Sequence, residues 1–403
     1  MEPPLKGIRV LEVANWLAIP SCAAMMADMG ADVIKVEALQ GDTFRTEIRD
    51  ADFSKSFPVS YAFELDNRGK RSMALNLARP RAVEAVHKLA GLADVFMTNL
   101  IPRRQEAFNL TYEELSRDNP RLVYVSFNGY GAQGPDKDRT GFDYTAFWTR
   151  SGAMSLFSQP GRPPVNLRSG FGDHTSSPML LAGVMTALWT REKTGRGQKV
   201  ACSLLNMGLW VIGGDLSRSL FARQHPFQWS REESPNPLQN TYQTGDGKWI
   251  NVVSPNTDEK WSGFVRALGR EDLITGETSA DQPARRANAL DLVAELDREF
   301  ARFTLEDLAP RLDAQGVIWA PMQDLMDVMS DPQVRANDFI VSVDHPTHGP
   351  YETLATPLKF SDSEVKPRGA APEMGQHTEQ VLVDELGYSW DEVESLREDG
   401  AIN

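Results

Sequence analysis

Short apolar runs and amphipathic stretches alternate through the first half of the chain. Ile8-Arg9-Val10-Leu11-Glu12-Val13 reads as a strand, Ile19 to Met29 as a helix stopped by Gly30, and Asp32-Val33-Ile34-Lys35-Val36-Glu37 as a second strand. This β-α-β unit opens an α/β layered domain with parallel strands. Met73 to Leu77 alternates as a strand, and residues 80 to 92 repeat Val83, Val86, Leu89 and Leu92 on one helical face. Ala93 to Thr98 and Leu122 to Phe127 are further strands, flanking a short helix at Tyr112 to Leu115 that Asn119-Pro120 closes. Gly129 to Pro135 is a glycine-rich loop. A second one, Ser169 to Pro178, precedes an apolar helix from Met179 to Trp189 and a strand from Lys199 to Ser203.

The pattern changes after about residue 222. Ser234-Pro235-Asn236-Pro237 marks an irregular linker, and Thr241 to Val253 reads as a hairpin with an Asp246-Gly247 turn. Amphipathic helices follow near 258–268, 286–301 and 305–314. Later segments predict strands near Phe339–Val343 and Leu358–Phe360, then helices from Thr378 to Leu386 and Trp390 to Arg397. The expected division is a large α/β domain over 1–222, a small α+β domain over 223–330, and a segment over 331–403 returning to the large domain.

With 403 residues the chain is long enough for two domains, and its formal net charge of -14 disfavours non-specific nucleic-acid or anionic-membrane partners. Cys22 and Cys202 are the only cysteines, which excludes a disulfide framework or thiolate metal cluster. No apolar run approaches the ~20 residues of a membrane helix, so a cytoplasmic protein is the expectation. His345 and His348 are close in sequence but lack further ligands nearby, and read as a surface loop rather than a metal site. The turn Ala14-Asn15-Trp16-Leu17-Ala18 contains no glycine, which argues against a dinucleotide fingerprint.

Two readings stand for Asp173: a helix N-cap, or a catalytic carboxylate at the mouth of a cleft. His174 beside it diverges on a helix start. Asn67-Arg68-Gly69-Lys70-Arg71 packs three cations around a glycine, which suits a phosphate clamp or a solvated turn. Arg103-Arg104, Lys137 and Arg139 add cations at loops following strands, where ligands of open α/β sheets bind.

Four pieces in order resemble the class III CoA-transferases, the relatives of formyl-CoA:oxalate and carnitine CoA-transferases (the CaiB/BaiF family). They are Leu5 to Glu12, Gly30 to Glu37, Asn67 to Ser72, and Arg191-Glu192-Lys193-Thr194-Gly195-Arg196-Gly197-Gln198. Ala320-Pro321, Asp331 to Arg335 and Gly375 to Thr378 are similar too. The resemblance implies an α/β fold with a Rossmann-like parallel sheet, a smaller α+β domain, and a homodimer of interlocked chains. It implies CoA transfer from an acyl-CoA donor to a carboxylic acid acceptor, with coenzyme A as substrate and no permanently bound cofactor or metal. Asp173 takes the place of the family's catalytic aspartate. Asn67, Arg68, Lys70 and Arg71 match contacts with the CoA nucleotide, joined by Asn99, Arg104 and Lys137.

Racemases of the same fold carry a histidine base where this chain has Phe142, and a phenyl ring cannot take a proton. The alternatives are an acyl-CoA racemase or epimerase that uses Asp173 with some other base, and a non-catalytic CoA-binding protein. Leu17 replaces a polar residue of the oxalate enzymes, and the glycine run of those enzymes is absent near Ser234 to Tyr242. A less polar acid is expected, with Trp16, Leu17, Phe142 and Tyr144 lining its pocket. In the expected mechanism Asp173 passes through an anhydride to an aspartyl-CoA thioester, with backbone N–H groups near Gly172 facing the oxyanions.

Overall fold

The computed structural model describes residues 2–46, 60–159, 161–165 and 167–403. The chain divides into two compact units, one from Met1–Ser155, Asn166–Phe221 and Gln333–Asn403, the other from Leu156–Val165 and Ala222–Pro332. The first is built on six parallel strands: β1 (Arg9–Val13), β2 (Asp32–Glu37), β3 (Arg71–Ala74), β4 (Val95–Thr98), β5 (Val123–Asn128) and β6 (Lys199–Ser203). Their order across the sheet is β3-β2-β1-β4-β5-β6, so the winding reverses between β1 and β4. This is the Rossmann-like parallel sheet the sequence predicts.

The middle strands β4 and β5 are buried along their whole length because helices cover both faces. On one face, the Ala18–Asp28 and Phe171–Thr194 helices close a core around Ile19, Met26, Val125 and Leu180. On the other, the Pro80–Leu92, Tyr112–Asp118 and Trp390–Glu398 helices pack with Leu11, Phe96, Val86 and Leu396.

Two charges interrupt the apolar strands. Glu12 of β1 and Lys35 of β2 are cross-strand neighbours, both fully buried, with Nζ and Oε1 2.8 Å apart. Lys35 also meets Asp42 Oδ2 at 2.9 Å, and Glu12 Oε2 meets Lys70 Nζ at 2.7 Å. Every charge in this buried group thus faces an opposite one, the condition under which ions persist in a core.

The outer edge of β3 is sealed by the C-terminal segment. His377 N donates to Ser72 O (2.9 Å), Ser72 N to His377 Nδ1 (3.2 Å), and Ala74 N to Thr378 Oγ1 (3.0 Å). Side chains and backbone of Gly375–Thr378 thereby replace a neighbouring strand. The expected strand at Leu358–Phe360 is absent. Ile340–His345 pairs instead with Gly349–Leu354 as an antiparallel hairpin, since the Pro346 to His348 turn returns the chain at once. His345 is buried at the end of that hairpin rather than in a surface loop, its ring 4.6 Å from that of His348.

The second unit carries an antiparallel sheet of Gln239–Gln243, Trp249–Val253 and Trp319–Pro321. The first two strands form the expected hairpin, with Gly247 at φ 79° in its turn. Helices Asp258–Ala267, Ala289–Phe300 and Leu305–Ala314 bury Trp261, Phe264, Leu296 and Leu308 against it.

Candidate active site

A cleft of about 990 Å³ opens at the carboxyl ends of the strands in the first unit, beyond the paired strands β1 and β4. Loops following parallel strands on either side of a winding reversal leave a crevice there, the usual ligand position in such sheets. Asn15 to Ala18 follow β1, Asn99 to Arg104 follow β4, and Gly129 follows β5. Thr140 to Thr145, Arg168 to Gly170 and Asp173 complete the wall.

The tips of β1 and β4 are tied together by Asn99. Its Oδ1 accepts from Asn15 N (3.2 Å) and its Nδ2 donates to Asn15 O (2.6 Å). The next residue, Trp16, holds φ at 68°, in the left-handed region that costs an aromatic residue roughly 1–2 kcal/mol. Asp42 secures that turn: Oδ1 accepts from Trp16 N (3.2 Å) and Phe44 N (3.0 Å) while Oδ2 faces Lys35. Trp16 then meets Phe142 edge-on, with ring centroids 5.3 Å apart. Leu17 packs with Phe44 and Phe63 and is almost wholly buried.

Asp173 stands in the first turn of the Phe171–Thr194 helix. That helix begins well before the predicted Met179, so the expected loop through Pro178 is helical. Hydroxyls bond back to carbonyls four residues earlier, Ser176 Oγ to Gly172 O (2.6 Å) and Ser177 Oγ to Asp173 O (2.9 Å), while Pro178 sits inside the helix. Asp173 is not the N-cap. That position is Gly170, at φ 85°, which has no side chain with which to cap.

The cap comes from another element. Asp143, 3% exposed, accepts from Gly170 N through Oδ2 (2.9 Å) and from Gly172 N through Oδ1 (2.8 Å). Burial pushes its carboxyl above the ordinary range, although the two N–H groups oppose that rise. These N–H groups, expected to face an oxyanion, donate to Asp143 instead. Gly172 is required by the approach, since a Cβ there would lie 2.4 Å from Asp143 Oδ1 and 2.3 Å from Phe147 Cγ. Asp143 begins a π-helical turn, Asp143–Arg150, a form common at functional sites. Its neighbours Phe142 and Tyr144 both line the cleft, and Tyr144 Oη donates to Leu167 O at 2.7 Å.

A sequence model described as CoA-transferase family III matches residues 5–378. The chain belongs to CoA-transferase family III. Its activity is accordingly CoA transfer between an acyl-CoA and a carboxylic acid. It is 31% identical over 399 residues to the (R)-2-hydroxy-4-methylpentanoate CoA-transferase of Clostridioides difficile, covering 99% of each chain. It is 30% identical to the cinnamoyl-CoA:phenyllactate CoA-transferase of Clostridium sporogenes, over 98% of this chain and 96% of that one. Among solved structures, a CaiB/BaiF family protein from Brucella suis superposes with a TM-score of 0.83 at 29% identity, covering 95% of this chain and 100% of that one.

Within this family member, the cleft gathers Trp16, Leu17, Asn99, Arg103, Arg104, Phe142, Tyr144 and Asp173, together with Arg168, which no expectation assigned to substrate. The expected nucleotide contacts at Asn67, Arg68, Lys70 and Arg71 lie elsewhere. Arg68 is buried against Asp28 (Nη2 to Oδ2, 2.7 Å), and Lys70 against Glu12 with Asn67 Oδ1 at 2.9 Å. Burial pulls the Lys70 ammonium down to about 8, against the opposing pull of Glu12. Arg71 pairs with Asp32 at 2.6 Å and with Glu385. These side chains bind carboxylates of their own unit rather than forming a cleft-facing clamp. Lys137 is exposed outside the cleft wall, and Arg139 pairs with Asp136 at 3.7 Å. His174 turns to Asp66, Nε2 to Oδ1 at 3.0 Å.

Among the described residues no cluster of metal-ligating side chains occurs, and no helix is long and apolar enough to cross a membrane.

Proposed function

We propose that Asp173 is the nucleophile of this transferase and that CoA is carried on its side chain. The observation behind this reading is Asp173 in the first turn of a helix on the wall of a cleft that the short helix Pro102–Ala107 also lines, with Arg103 and Arg104. A carboxylate there is favoured by the positive end of the helix. It attacks the donor thioester carbonyl, and the carbon–sulfur bond breaks to release CoA thiolate and leave a mixed anhydride. The thiolate then attacks the aspartyl carbonyl, displacing the donor acid and forming an aspartyl-CoA thioester. The acceptor carboxylate attacks this thioester, giving thiolate and a second anhydride. Thiolate attack on the acceptor carbonyl yields the new acyl-CoA and frees Asp173. No net proton is exchanged.

Arg103 and Arg104 supply charge for the phosphates of CoA, and Asn99 anchors the chain that leads into their helix, Pro102–Ala107. The wall of Trp16, Leu17, Phe142 and Tyr144 suits an acid with a branched or aromatic side chain. Two relatives carry names of that kind, one acting on a methyl-branched 2-hydroxy acid and one on cinnamoyl-CoA and phenyllactate. Phe142 stands where an epimerase would need a base, and His174 is directed to Asp66. In the assembly we propose, two interlocked chains form a homodimer.

Incubation with a panel of acyl-CoAs followed by intact mass tests this mechanism. A hydroxylamine-sensitive CoA adduct is expected on the wild type and none on Asp173→Ala. Wild type that never acquires the adduct, or Asp173→Ala that still exchanges CoA, refutes the aspartyl mechanism. Binding without any turnover would instead indicate a CoA-binding protein.

A further inference from the structure

The helix that carries Asp173 begins at a glycine that cannot cap it, and its first N–H groups are held by a carboxylate from a different element. We infer that Asp143 is a positioning residue for Asp173, fixing the nucleophile relative to the aromatic wall of the cleft. This inference rests on the proposed role of Asp173.

Three observations carry it. Asp143 Oδ2 and Oδ1 accept from Gly170 N (2.9 Å) and Gly172 N (2.8 Å), so one carboxylate spans the residues just before Asp173. Gly172 is as close to Asp143 and Phe147 as backbone permits, since a Cβ would fall within 2.4 Å of either side chain. The π-helical turn that begins with Asp143 also presents Tyr144 to the cleft, and its N-cap residue Phe142 lines the same cleft. Apolar wall and nucleophile are thus joined through two hydrogen bonds instead of through a flexible loop. An acid seated against Phe142 and Tyr144 meets Asp173 at a fixed offset, and such offsets govern rate steeply.

Asp143→Asn is the informative change. It keeps the size of the side chain but presents an NH2 group to one of the two N–H donors, so one bond is replaced by a repulsive contact. The expected result is adduct formation slowed by roughly 10- to 100-fold in single turnover, with acyl-CoA affinity within about twofold of wild type. A variant that merely loosened the fold would lose affinity along with rate. Should Asp143→Asn fail to fold, Gly172→Ala strains the same contact from the other side and is expected to give the same division between rate and affinity. Adduct formation at the wild-type rate, or parallel losses of rate and affinity, overturns the role of Asp143 while leaving Asp173 in place. A wild type that forms no adduct overturns both.

Discussion

Glu37 offers a quantitative test of how Asp42, and through it the Trp16 turn on the cleft wall, is held. It ends β2 with its side chain buried, and its two oxygens take four donors: Arg45 Nε (2.7 Å) and Asp42 N (2.9 Å) on Oε2, Arg45 Nη2 (2.7 Å) and Ser72 Oγ (2.6 Å) on Oε1. Burial alone raises its pKa, but the Arg45 hydrogen bonds, the charges of Lys35 and Arg45 and the Ser72 hydroxyl outweigh it and bring the carboxyl down to about 2. A folded value below the unfolded one means that the unfolded chain binds the extra proton. The stabilisation is therefore present above the unfolded pKa and lost as pH falls through the folded one. With an unfolded value near 4.5, ionised Glu37 contributes ~3 kcal/mol at pH 7 and ~1 kcal/mol at pH 3.

Urea unfolding of wild type and Glu37→Gln at pH 7, 5, 4 and 3 isolates this contribution, because every other carboxylate titrates in both proteins. The stability difference is expected to shrink by about 2 kcal/mol between pH 7 and pH 3, most of it below pH 5. A difference that stays constant over that range refutes the assigned coupling to Arg45 and Ser72. The same variant loosens Asp42, and with it the strained turn at Trp16, so transfer activity at pH 7 is expected to fall as well.

Two further changes probe separate supports. Asn99→Ala removes both side-chain bonds to the Asn15 backbone just beyond the β1–β4 ladder, and is expected to lower kcat/KM for CoA transfer by about 10- to 100-fold while costing roughly 1–3 kcal/mol of stability. Steady-state kinetics and urea midpoints measure the two effects, and unchanged kinetics would remove Asn99 from the positioning of the helix that carries Arg103 and Arg104. Thr378→Val keeps shape but strips the acceptor from Ala74 N, an expected loss of about 1–3 kcal/mol. Amide exchange at Ala74 reads it directly: protection equal to wild type would mean that Thr378 does not seal β3.

The sheet was legible because its strands are short apolar runs separated by helices of the right period, and β6 falls on the predicted Lys199–Ser203. Asp173 left both a helix cap and a cleft carboxylate open when read locally, and the resemblance to the family directed attention to it; it lines the cleft. What escaped sequence reading were partners distant along the chain. The cations from Arg68 to Arg71 look like a clamp when read locally, yet Asp28, Glu12, Asp32 and Glu385 neutralise them from as far as 314 residues away. Asp143 was hidden for the same reason: the helix it caps has its N-cap 27 residues later, at Gly170, which reads as part of a loop. A signal was present in Gly170 and Gly172 flanking a helix start without a capping side chain, since unmet N–H groups require an acceptor from somewhere. Apolar content alone could not choose between Leu358–Phe360 and Gly349–Leu354 as a strand, because that choice depends on the turn at Pro346 to His348.

The sealing of β3 has a consequence for biosynthesis. Ser72 Oγ receives Gly375 N across 303 residues of intervening chain. At translation rates of about 5–20 residues per second, the first three strands leave the ribosome roughly 15–60 s before the segment that covers their edge exists. During that interval a half-built sheet offers open backbone groups to any other nascent chain. Newly made protein is thus exposed to misassociation for a time set by elongation rather than by folding, and chaperone demand is expected to concentrate on that interval.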